Sequence, residues 1–568
     1  MIPKFGKLLL LSVLMISLLR ADTYAAQGKQ SVGDITGPKI KDLYMVIIRD
    51  PDAGILAAEK GDIDILGDIA RPVDIDRLSV NDGIELSLAS GFHGFFLGFN
   101  MRRFPWNRKE LRRAACMAIP RTKMVRDIFS GYAAPLSTFL PPASSYVAND
   151  AQVPGFDPDA ARSLLSAAGW KWNDRGVLVP PGSDEPLKTT KLLSPTEQIS
   201  PTTAEFAARI AESLKGIGIP VETDPMDFAT MIARMDEHDF DSYVLAWEMS
   251  RDPDSLFAFY HSSMDVRGGY NIPGIHDAEL DEALEELRYA PDEKSARKAA
   301  LLSQEILADR IPAVPIYSRY YIASVSRKWK GTVKSDVSTP DNSWSLLKME
   351  PADGRMSPLY WGLADEPRSL NPFSSSSAYD WQVMGEIYDT LITVDPYSMG
   401  DLPWLAVKWD IKTRDMDEKK RTVLTFDLRK DVSWQDGMKF SSQDVKATIM
   451  FLKDHNIPRY FDSVRNVLEV ETPDEHTVRI TMDGVSYWYL HNIGGLPILP
   501  GHLLENIGDW RTWQPASLTD PVDGSLTQLI GTGPFVFREY RRGEFVRLSR
   551  NDVFWLLGNR GEETGGDR

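Results

Sequence analysis

The chain has 568 residues, of which 43% are hydrophobic, and it contains 15 tryptophans and one cysteine. A disordered chain lacks the apolar side chains that offset ordering entropy, so this composition argues against disorder. The length is sufficient for two or three folded domains. Lysine and arginine number 64 against 81 aspartates and glutamates, a formal charge of −17. No basic block is long enough for a nucleic-acid footprint, so we expect no nucleic-acid partner.

The N-terminus has the pattern of a secretory signal. An apolar run from Leu8 to Leu19 follows two lysines and precedes small residues near Ala25. A run of this length is too short to span a bilayer as a helix. We therefore predict a signal peptide over 1–26 and a soluble protein in the periplasm or outside the cell, with a retained membrane anchor as the alternative.

The first block of the chain alternates strands and helices. Glycines and prolines delimit several of them, and the helix that begins at Asp157 has an aspartate N-cap, a proline in its first turn and a glycine at its end. The hydrophobic patterns predict strands over 44–48, 242–247 and 313–317, and helices over 53–61, 157–170, 203–216, 277–289 and 292–310.

Turn-forming residues over 350–358 interrupt the pattern, and a second block follows them. Its patterns predict strands over 359–361, 421–428 and 477–482, and helices over 381–391 and 442–453. The glycine-rich polar residues from 558 to 568 are typical of a frayed tail. The mixture predicts an α/β or α+β protein without repeats.

Signals for catalysis or metal binding are absent from the sequence. Cys116 lies in a helical pattern, where a lone thiol is typical of a small core residue, and no cysteine follows the apolar run to accept a lipid. The eight histidines are scattered, and the chain has neither a nucleophile elbow nor a phosphate-binding loop. We therefore predict no enzyme activity, no cofactor and no metal, and a secreted hydrolase is kept as an alternative to be tested by turnover.

Both blocks resemble the family 5 extracellular solute-binding proteins, the oligopeptide-, dipeptide- and nickel-binding group of ABC transporters. The motifs that carry the resemblance are Glu366-Pro-Arg-Ser-Leu-Asn-Pro, Ile387-Tyr-Asp-Thr-Leu, Phe426-Asp-Leu-Arg-Lys-Asp-Val-Ser-Trp-Gln-Asp-Gly, Phe440-Ser-Ser-Gln-Asp-Val, Gly531-Thr-Gly-Pro-Phe, Leu56-Ala-Ala-Glu-Lys-Gly-Asp-Ile-Asp, Phe99-Asn, Leu111-Arg-Arg-Ala-Ala-Cys-Met-Ala-Ile, Trp247 through Asp254 and Pro312-Ala-Val-Pro-Ile-Tyr. Family members usually carry the motifs of the second block first. The chain therefore looks circularly permuted, and a fusion of two partial genes is the alternative.

The resemblance implies an α/β, two-lobed periplasmic-binding-protein fold of the Venus flytrap, class II or cluster C type, with an accessory α+β subdomain. We expect a linker over 27–42, an opposing lobe over 101–310 and an accessory subdomain over 391–525. The main lobe would be built from 43–100, 311–390 and 526–558, with the permutation linker near 349–358 and a disordered tail over 559–568. Closure of the two lobes around a ligand is the function implied by this architecture.

In peptide-binding members, an aspartate three residues after a tryptophan of the opposing lobe receives the peptide's amino terminus. Ser250 occupies that position after Trp247 in this chain. Asp252 or Glu248 would have to supply the missing charge, Trp247 offers a flat face to a ligand, and Arg251 offers a fork for a carboxylate. The competing interpretations are a turn for Asp252, core packing for Trp247 and a solvated side chain for Arg251.

In the main lobe, the resemblance implies ligand contacts in a cleft-edge loop and the residues that follow it. The predicted contacts are Glu366, Ser369, Asn371, Tyr379 and Trp381. His93 is a further candidate, because its strand is expected near the hinge. A helix cap is the alternative for the serine-rich loop, and a structural role is the alternative for His93.

The predicted function is that of a monomeric substrate-binding protein that captures a peptide-like solute and delivers it to the permease subunits of an ABC importer. An oligosaccharide is the alternative ligand, because the amine-binding aspartate is displaced and tryptophans are plentiful. A secreted sensor or a degenerate binding module is the alternative from another functional class.

Overall fold

The computed structural model describes residues 35–522 and 524–557. The expected signal peptide, the first part of the 27–42 linker and the tail over 559–568 lie outside these residues. The strands are β1 (Asp42–Ile47), β2 (Ile65–Leu66), β3 (Ile84–Ser90), β4 (His93–Phe99), β5 (Ala133–Pro135), β6 (Lys171–Trp172), β7 (Leu178–Val179), β8 (Thr190–Pro195), β9 (Val221–Met226), β10 (Ser242–Glu248), β11 (Ala313–Ser326), β12 (Trp329–Lys330), β13 (Glu350–Pro351), β14 (Leu359–Leu363), β15 (Ile392–Val394), β16 (Asp401–Pro403), β17 (Ala406–Met416), β18 (Lys419–Leu428), β19 (Val467–Asp474), β20 (Thr477–Asp483), β21 (Phe535–Arg541) and β22 (Phe545–Arg550). The helices are α1 (Pro51–Lys60), α2 (Pro72–Ser79), α3 (Lys109–Ala118), α4 (Arg121–Phe129), α5 (Pro158–Ala167), α6 (Pro201–Gly216), α7 (Phe228–Asp236), α8 (Ser255–Tyr260), α9 (Ala278–Arg288), α10 (Glu293–Arg310), α11 (Ser343–Lys348), α12 (Ala378–Met384), α13 (Ser442–Asp454), α14 (Phe461–Val464), α15 (Tyr489–Gly494) and α16 (Gly501–Leu504).

Helix α5 shows how the local signals of the sequence determine an element. The Asp157 carboxylate accepts a hydrogen bond from the Ala160 N–H at 2.8 Å, and Pro158 occupies the first turn, where its missing N–H is not needed. Gly169 follows the helix in a left-handed conformation with φ of 86°. The predicted helix is confirmed.

A long mixed sheet passes through the molecule in the order β21-β22-β1-β14-β2-β11-β4-β10-β8-β9. Strand β11 joins its two parts. The first residues of β11 pair antiparallel with β4 and β5, while its later residues pair antiparallel with β3 and β2. A separate sheet of β17, β18, β20 and β19 forms the β-part of the accessory subdomain.

Two large hydrophobic cores lie on either side of this shared strand. One core gathers buried side chains from Phe95 to Tyr317, together with the distant Trp488. The other gathers Ile40, Leu43, Met45 and Ile65 together with buried side chains between Val325 and Leu548, and the accessory sheet packs into it. Each core is large enough to stabilise its own unit, so the molecule is a mixed α/β protein of two lobes.

Two distant motifs of the second sequence block meet closely inside the main-lobe core. A Cβ atom on Gly531 would lie 1.8 Å from the carbonyl oxygen of Ile387, so only glycine allows this approach. Gly533 N–H donates to the same carbonyl at 2.8 Å, and the Thr532 hydroxyl donates to the Asp389 carboxylate at 2.8 Å. The motif around Gly531 is thus a packing motif.

The expected helix over 381–391 is wrong in its extent. The observed helix, α12, covers Ala378–Met384. Beyond it, the carbonyls of Glu386 and Ile387 accept hydrogen bonds from Phe535 and Gly533, so the backbone cannot continue a helical ladder.

Two expected linkers are also partly packed structure. Ile35 and Ile40 are 5% and 1% exposed, so the last part of the 27–42 segment belongs to the main-lobe core. Met349 is buried and β13 pairs with β12, which leaves an exposed turn only over 352–357.

The first and last described segments lie side by side. Strand β1 pairs antiparallel with β22, and it pairs on its other edge in parallel with β14. Arg550 N–H donates to the Lys41 carbonyl at 2.8 Å, and Gly37 N–H donates to the Leu556 carbonyl at 3.2 Å. Among the described residues, no helix is long and apolar enough to cross a membrane.

Candidate functional site

The segment after β10 carries the predicted ligand contacts of the opposing lobe. Strand β10 pairs with β4 so that Trp247 lies opposite Gly94 and Glu248 lies opposite His93. Successive side chains of a strand point to opposite faces, so Trp247 and Glu248 face different surroundings. Glu248 accepts a hydrogen bond from the Tyr321 hydroxyl on the main-lobe part of β11.

Trp247 belongs to a small aromatic group on the opposing lobe. Its ring centroid lies 5.0 Å from that of Phe259 and 5.8 Å from that of Tyr270, which is 51% exposed. The contact with Tyr270 is edge to face and the contact with Phe259 is tilted, and both favour a fixed orientation of the indole. The half-buried indole is therefore partly core and partly surface.

Ser250 is exposed, and its hydroxyl caps the following turn by accepting a hydrogen bond from the Asp252 N–H at 3.2 Å.

Four charged side chains join the opposing lobe to the accessory subdomain, and we call Arg251, Asp252, Asp401 and His491 the interlobe cluster. Arg251 Nη2 donates to Asp401 Oδ1 at 2.6 Å, and its Nη1 donates to the Met399 carbonyl at 2.9 Å. His491 Nδ1 lies 2.8 Å from Asp252 Oδ1, and its Nε2 lies 2.9 Å from Asp401 Oδ2. One imidazole thus bridges carboxylates of the two lobes.

The electrostatics favour the charged form of this imidazole. Burial opposes a charge on His491, whose side chain is 9% exposed, but the hydrogen bonds and charges of Asp252 and Asp401 outweigh burial and raise its pKa to about 9. Burial likewise opposes the Asp401 charge, and His491 and Arg251 outweigh it and lower the Asp401 pKa. Two cations therefore balance two anions in the cluster.

A cavity of about 70 Å³ adjoins the cluster. Its lining residues are Phe92, Ser145, Tyr146, Arg251, Asp252, Glu293, Met399, Gly400, Asp401, Tyr487 and His491. This volume is far below the size of a typical ligand pocket. The cluster holds the lobes together in this conformation and leaves room for a few water molecules.

Two further hydrogen bonds, from side chains to backbone carbonyls, join the accessory subdomain to the opposing lobe. The Trp488 indole N–H donates to the Leu287 carbonyl at 2.8 Å, and the Ser486 hydroxyl donates to the Arg288 carbonyl at 2.8 Å. These contacts fasten the start of α15 to the end of α9. The accessory subdomain therefore packs against the opposing lobe as well as against the main lobe.

The cleft-edge loop of the main lobe is held by Asp380. Its carboxylate accepts from the N–H of Arg368 at 2.6 Å, from the N–H of Ser369 at 3.2 Å and from the Ser375 hydroxyl at 2.5 Å. Glu366 is paired with Arg49 at 2.8 Å and accepts from the Gly543 N–H. Loop donors that would pair with an extended peptide are thus occupied within the main lobe.

Asn371, a predicted ligand contact, lies in a structural setting. It is 2% exposed, and its amide nitrogen donates to the carbonyls of Trp510 and Trp513 at 2.7 and 2.8 Å. Its amide oxygen accepts from the Phe373 N–H at 2.9 Å. Both donors of its amide are therefore occupied within the protein.

His93 has a structural setting as well. It is 6% exposed, its ring stacks on Tyr317 with centroids 5.5 Å apart, and burial lowers its pKa to about 4. Its Nδ1 has no hydrogen-bond partner among the described residues. A neutral imidazole packs here against strand β11, and nothing in the described structure brings it to an open surface.

The remaining main-lobe candidates lie apart from the interlobe cluster. Tyr379 is half-buried against the main-lobe core. Trp381 lies under the guanidinium of Arg459 at 4.5 Å and lines a separate cavity. The structure therefore brings Arg251 and Asp252 together with two residues that sequence reasoning missed, and it does not bring Trp381 to them.

Asp401 and His491 escaped sequence reasoning for a physical reason. They lie 90 positions apart in the chain, in β16 and α15, and neither has a motif spacing to Arg251. No group of three or more His, Cys, Asp or Glu side chains in the described ranges is arranged to hold a metal ion.

Two lobes with separate cores, joined by a shared strand and facing each other through polar side chains, define a binding-protein architecture. The family model described as bacterial extracellular solute-binding proteins, family 5, matches residues 15–266 and 402–567. These segments make up well over half of the chain, and the chain belongs to this family.

Curated relatives match it over part of their length. The oligopeptide-binding protein AppA of Bacillus subtilis is 25% identical over 285 residues, which are 49% of this chain and 51% of AppA. The probable ABC transporter periplasmic-binding protein SapA of Escherichia coli is 29% identical over 228 residues, 36% of this chain and 38% of SapA. The chain spans about half the length, or less, of these relatives.

Solved structures match to a similar extent. The alignment with the structure of AppA from Bacillus subtilis in complex with a nonapeptide covers 54% of this chain and 59% of the AppA chain, with 22% sequence identity and a TM-score of 0.44. The alignment with NikA from Brucella suis in complex with Fe(III)-EDTA covers 54% of this chain and 60% of the NikA chain, with 22% sequence identity and a TM-score of 0.45.

Proposed function

We propose that this protein is the substrate-binding component of an ABC importer, which captures a peptide-like solute between its two lobes and delivers it to the permease subunits. Membership of the family of extracellular solute-binding proteins carries the proposal. The curated relatives AppA and SapA, whose names denote oligopeptide binding and an ABC transporter, support the ligand class and the partner. The signal-like N-terminus supports a periplasmic or extracellular location.

Binding by closure requires that the lobes move and that ligand contacts stabilise the closed state. Strand β11 belongs to both parts of the sheet, and its register shifts between Pro315 and Tyr317, near the boundary of the two parts. A β-bulge bends a strand locally. We place the hinge at this bulge.

We propose that Trp247 and Ser250 contact the ligand, and that Arg251 and Asp252 fix the closed lobes. Trp247 is half-buried beside an exposed tyrosine, whereas both charged residues are paired with the accessory subdomain. Glu366, Ser369 and Tyr379 would then shape the main-lobe side, with Glu366 already paired to Arg49, whereas Trp381 lines a separate cavity.

The order of the two blocks is proposed to be a circular permutation. The described ends lie beside each other in β1 and β22, which is the geometry that tolerates such a relocation. An intact pair of lobes with a single set of family motifs supports this more than a fusion of partial genes.

An oligosaccharide is the second candidate ligand. Ser250 leaves no carboxylate at the amine-binding position, and Trp247, Phe259 and Tyr270 form an aromatic group of the kind that stacks on sugar rings. The two candidates predict different ligands for the same cleft.

Thermal unfolding with ligands tests the proposal. Purified protein is heated with di- to hexapeptides and, separately, with oligosaccharides, because a ligand at about 100 times its Kd adds roughly 2.7 kcal/mol to the free energy of unfolding. Trp247→Ala should abolish the shift. Trp409→Ala, which removes a half-buried tryptophan from the accessory sheet, should keep it. Cooperative unfolding without any ligand shift would contradict transport and favour a sensor or a degenerate module.

A further inference from the structure

A second cavity lies where the main lobe meets the accessory subdomain, and we call it the junction cavity. Its volume is about 340 Å³, within the range of small-molecule pockets. Its walls include Trp344, Trp381 and Tyr388 from the main lobe and Trp404 and Arg459 from the accessory subdomain. It shares no lining residue with the cavity beside the interlobe cluster.

Hydrogen bonds hold the aromatic walls in place. The Trp344 indole N–H donates to the Val394 carbonyl at 2.9 Å, and the Trp404 indole N–H donates to Asp389 at 2.7 Å. The rings of Trp344 and Trp404 meet edge to face with centroids 5.3 Å apart. Rings fixed in this way cannot rotate to fill the space, so the cavity is preformed.

Two wall residues carry polar groups that the described protein leaves unsatisfied. The Tyr388 hydroxyl and the Trp381 indole N–H have no hydrogen-bond partner among the described residues, and Tyr388 is 4% exposed. Buried polar groups in folded proteins are normally hydrogen-bonded. Both atoms are buried within the wall, so they add to its polarity without lying on its exposed surface.

The cavity walls also carry one charge of each sign. Arg459 is exposed, and its guanidinium lies 4.5 Å from the centroid of the Trp381 ring. Its Nη1 donates a hydrogen bond to the Ser375 carbonyl at 3.3 Å. Asp389 is 4% exposed and accepts from Trp404 and from Thr532. Burial raises the Asp389 pKa to about 6, so the carboxylate is ionised at neutral pH and is stabilised by any further cation.

We propose that the junction cavity binds a small zwitterion with a ring-shaped side chain, of the size of an aromatic amino acid. The ring lies between the tryptophan walls, the ammonium group approaches Asp389 and the carboxylate approaches Arg459. Aromatic walls supply stacking and cation–π attraction, and the two charges select against ligands that lack one end. This site is independent of the cleft between the two lobes.

Calorimetric titration with L-phenylalanine tests the proposal on the full chain, with tryptophan fluorescence as a second readout, because three indoles line the cavity. We expect L-phenylalanine to bind at least tenfold more tightly than 3-phenylpropionate, which lacks the amine, or 2-phenylethylamine, which lacks the carboxylate. No heat and no fluorescence change up to millimolar L-phenylalanine would overturn the proposal.

Matched variants locate the binding. Arg459→Gln should weaken L-phenylalanine at least tenfold and leave 2-phenylethylamine unchanged. Arg511→Gln removes a comparable guanidinium, 4.4 Å from the Trp510 ring and outside the cavity, and should change neither.

Trp247→Ala separates this proposal from the peptide site, because it should abolish peptide binding and leave L-phenylalanine binding intact. Equal affinity in Arg459→Gln, or loss in Trp247→Ala, would overturn the junction site. Arg459→Lys, which keeps the charge, should retain part of the affinity, and a melting temperature equal to that of the wild type shows that the loss is not unfolding.

Discussion

Removing the charge from His491 should weaken the contact between the opposing lobe and the accessory subdomain. The imidazole bridges Asp252 and Asp401 at 2.8 and 2.9 Å, and its pKa is raised from the ordinary 6.5 to about 9. A shift of this size corresponds to about 3 kcal/mol of folding free energy, as an order of magnitude.

The sign of the pH dependence follows from the direction of the shift. A group whose folded-state pKa is raised stabilises the fold fully below its unfolded pKa and loses that contribution as the pH rises through its folded pKa. The contribution of His491 is therefore complete near pH 6 and is lost as the pH passes 9. His491→Gln should remove this dependence.

The assay is urea unfolding of the wild type and of His491→Gln at several pH values between 6 and 9.5, with the radius of gyration from small-angle scattering as a readout of lobe separation. His502→Gln is the control, because His502 pairs with Asp436 at 2.7 Å within the accessory subdomain. It should leave the lobe separation unchanged. An identical pH slope in the wild type and in His491→Gln would refute the reasoning.

Three further substitutions test packing. Asp380→Asn should cost about 2 kcal/mol in urea unfolding, because a 1% exposed carboxylate that accepts three loop hydrogen bonds becomes partly a donor, and an unchanged midpoint would contradict its role. Gly98→Ala should cost about 1–3 kcal/mol in the same assay, because a Cβ would lie 2.1 Å from the Tyr243 ring, and a neutral result would show that the ring can move away. Trp488→Ala should cost about 3–5 kcal/mol, because the 4% exposed indole packs into the opposing lobe and donates to Leu287; a loss below 1 kcal/mol would contradict the docking.

The sequence predicted those features that local chemistry controls. The N-cap of α5, the buried strand β10 and the core position of Cys116 follow from residues within a few positions of each other. The helix expected over 381–391 was wrong, because Gly533, almost 150 positions away, binds the carbonyl of Ile387. Pattern reasoning cannot register such a partner.

The candidate site also depends on partners that are distant in the sequence. Arg251 and Asp252 could be singled out from their place after Trp247, but their partners Asp401 and His491 come from the other sequence block. Asn371 was singled out from its motif, and its hydrogen bonds to the carbonyls of Trp510 and Trp513 could not be foreseen, because these partners lie about 140 positions away. A motif identifies a residue that matters, whereas only the fold shows what the residue contacts.

The shared strand β11 limits the freedom of the lobes. It remains hydrogen-bonded on both sides of the bulge, to β4 before it and to β5 and β3 after it. A continuous hydrogen-bonded strand resists stretching, so the proposed opening would bend β11 at the bulge and would not pull its two parts apart. Each proposed closing movement would therefore return Arg251 and Asp252 to the same partners, Asp401 and His491, and the accuracy of the closed state would depend on the stiffness of one strand.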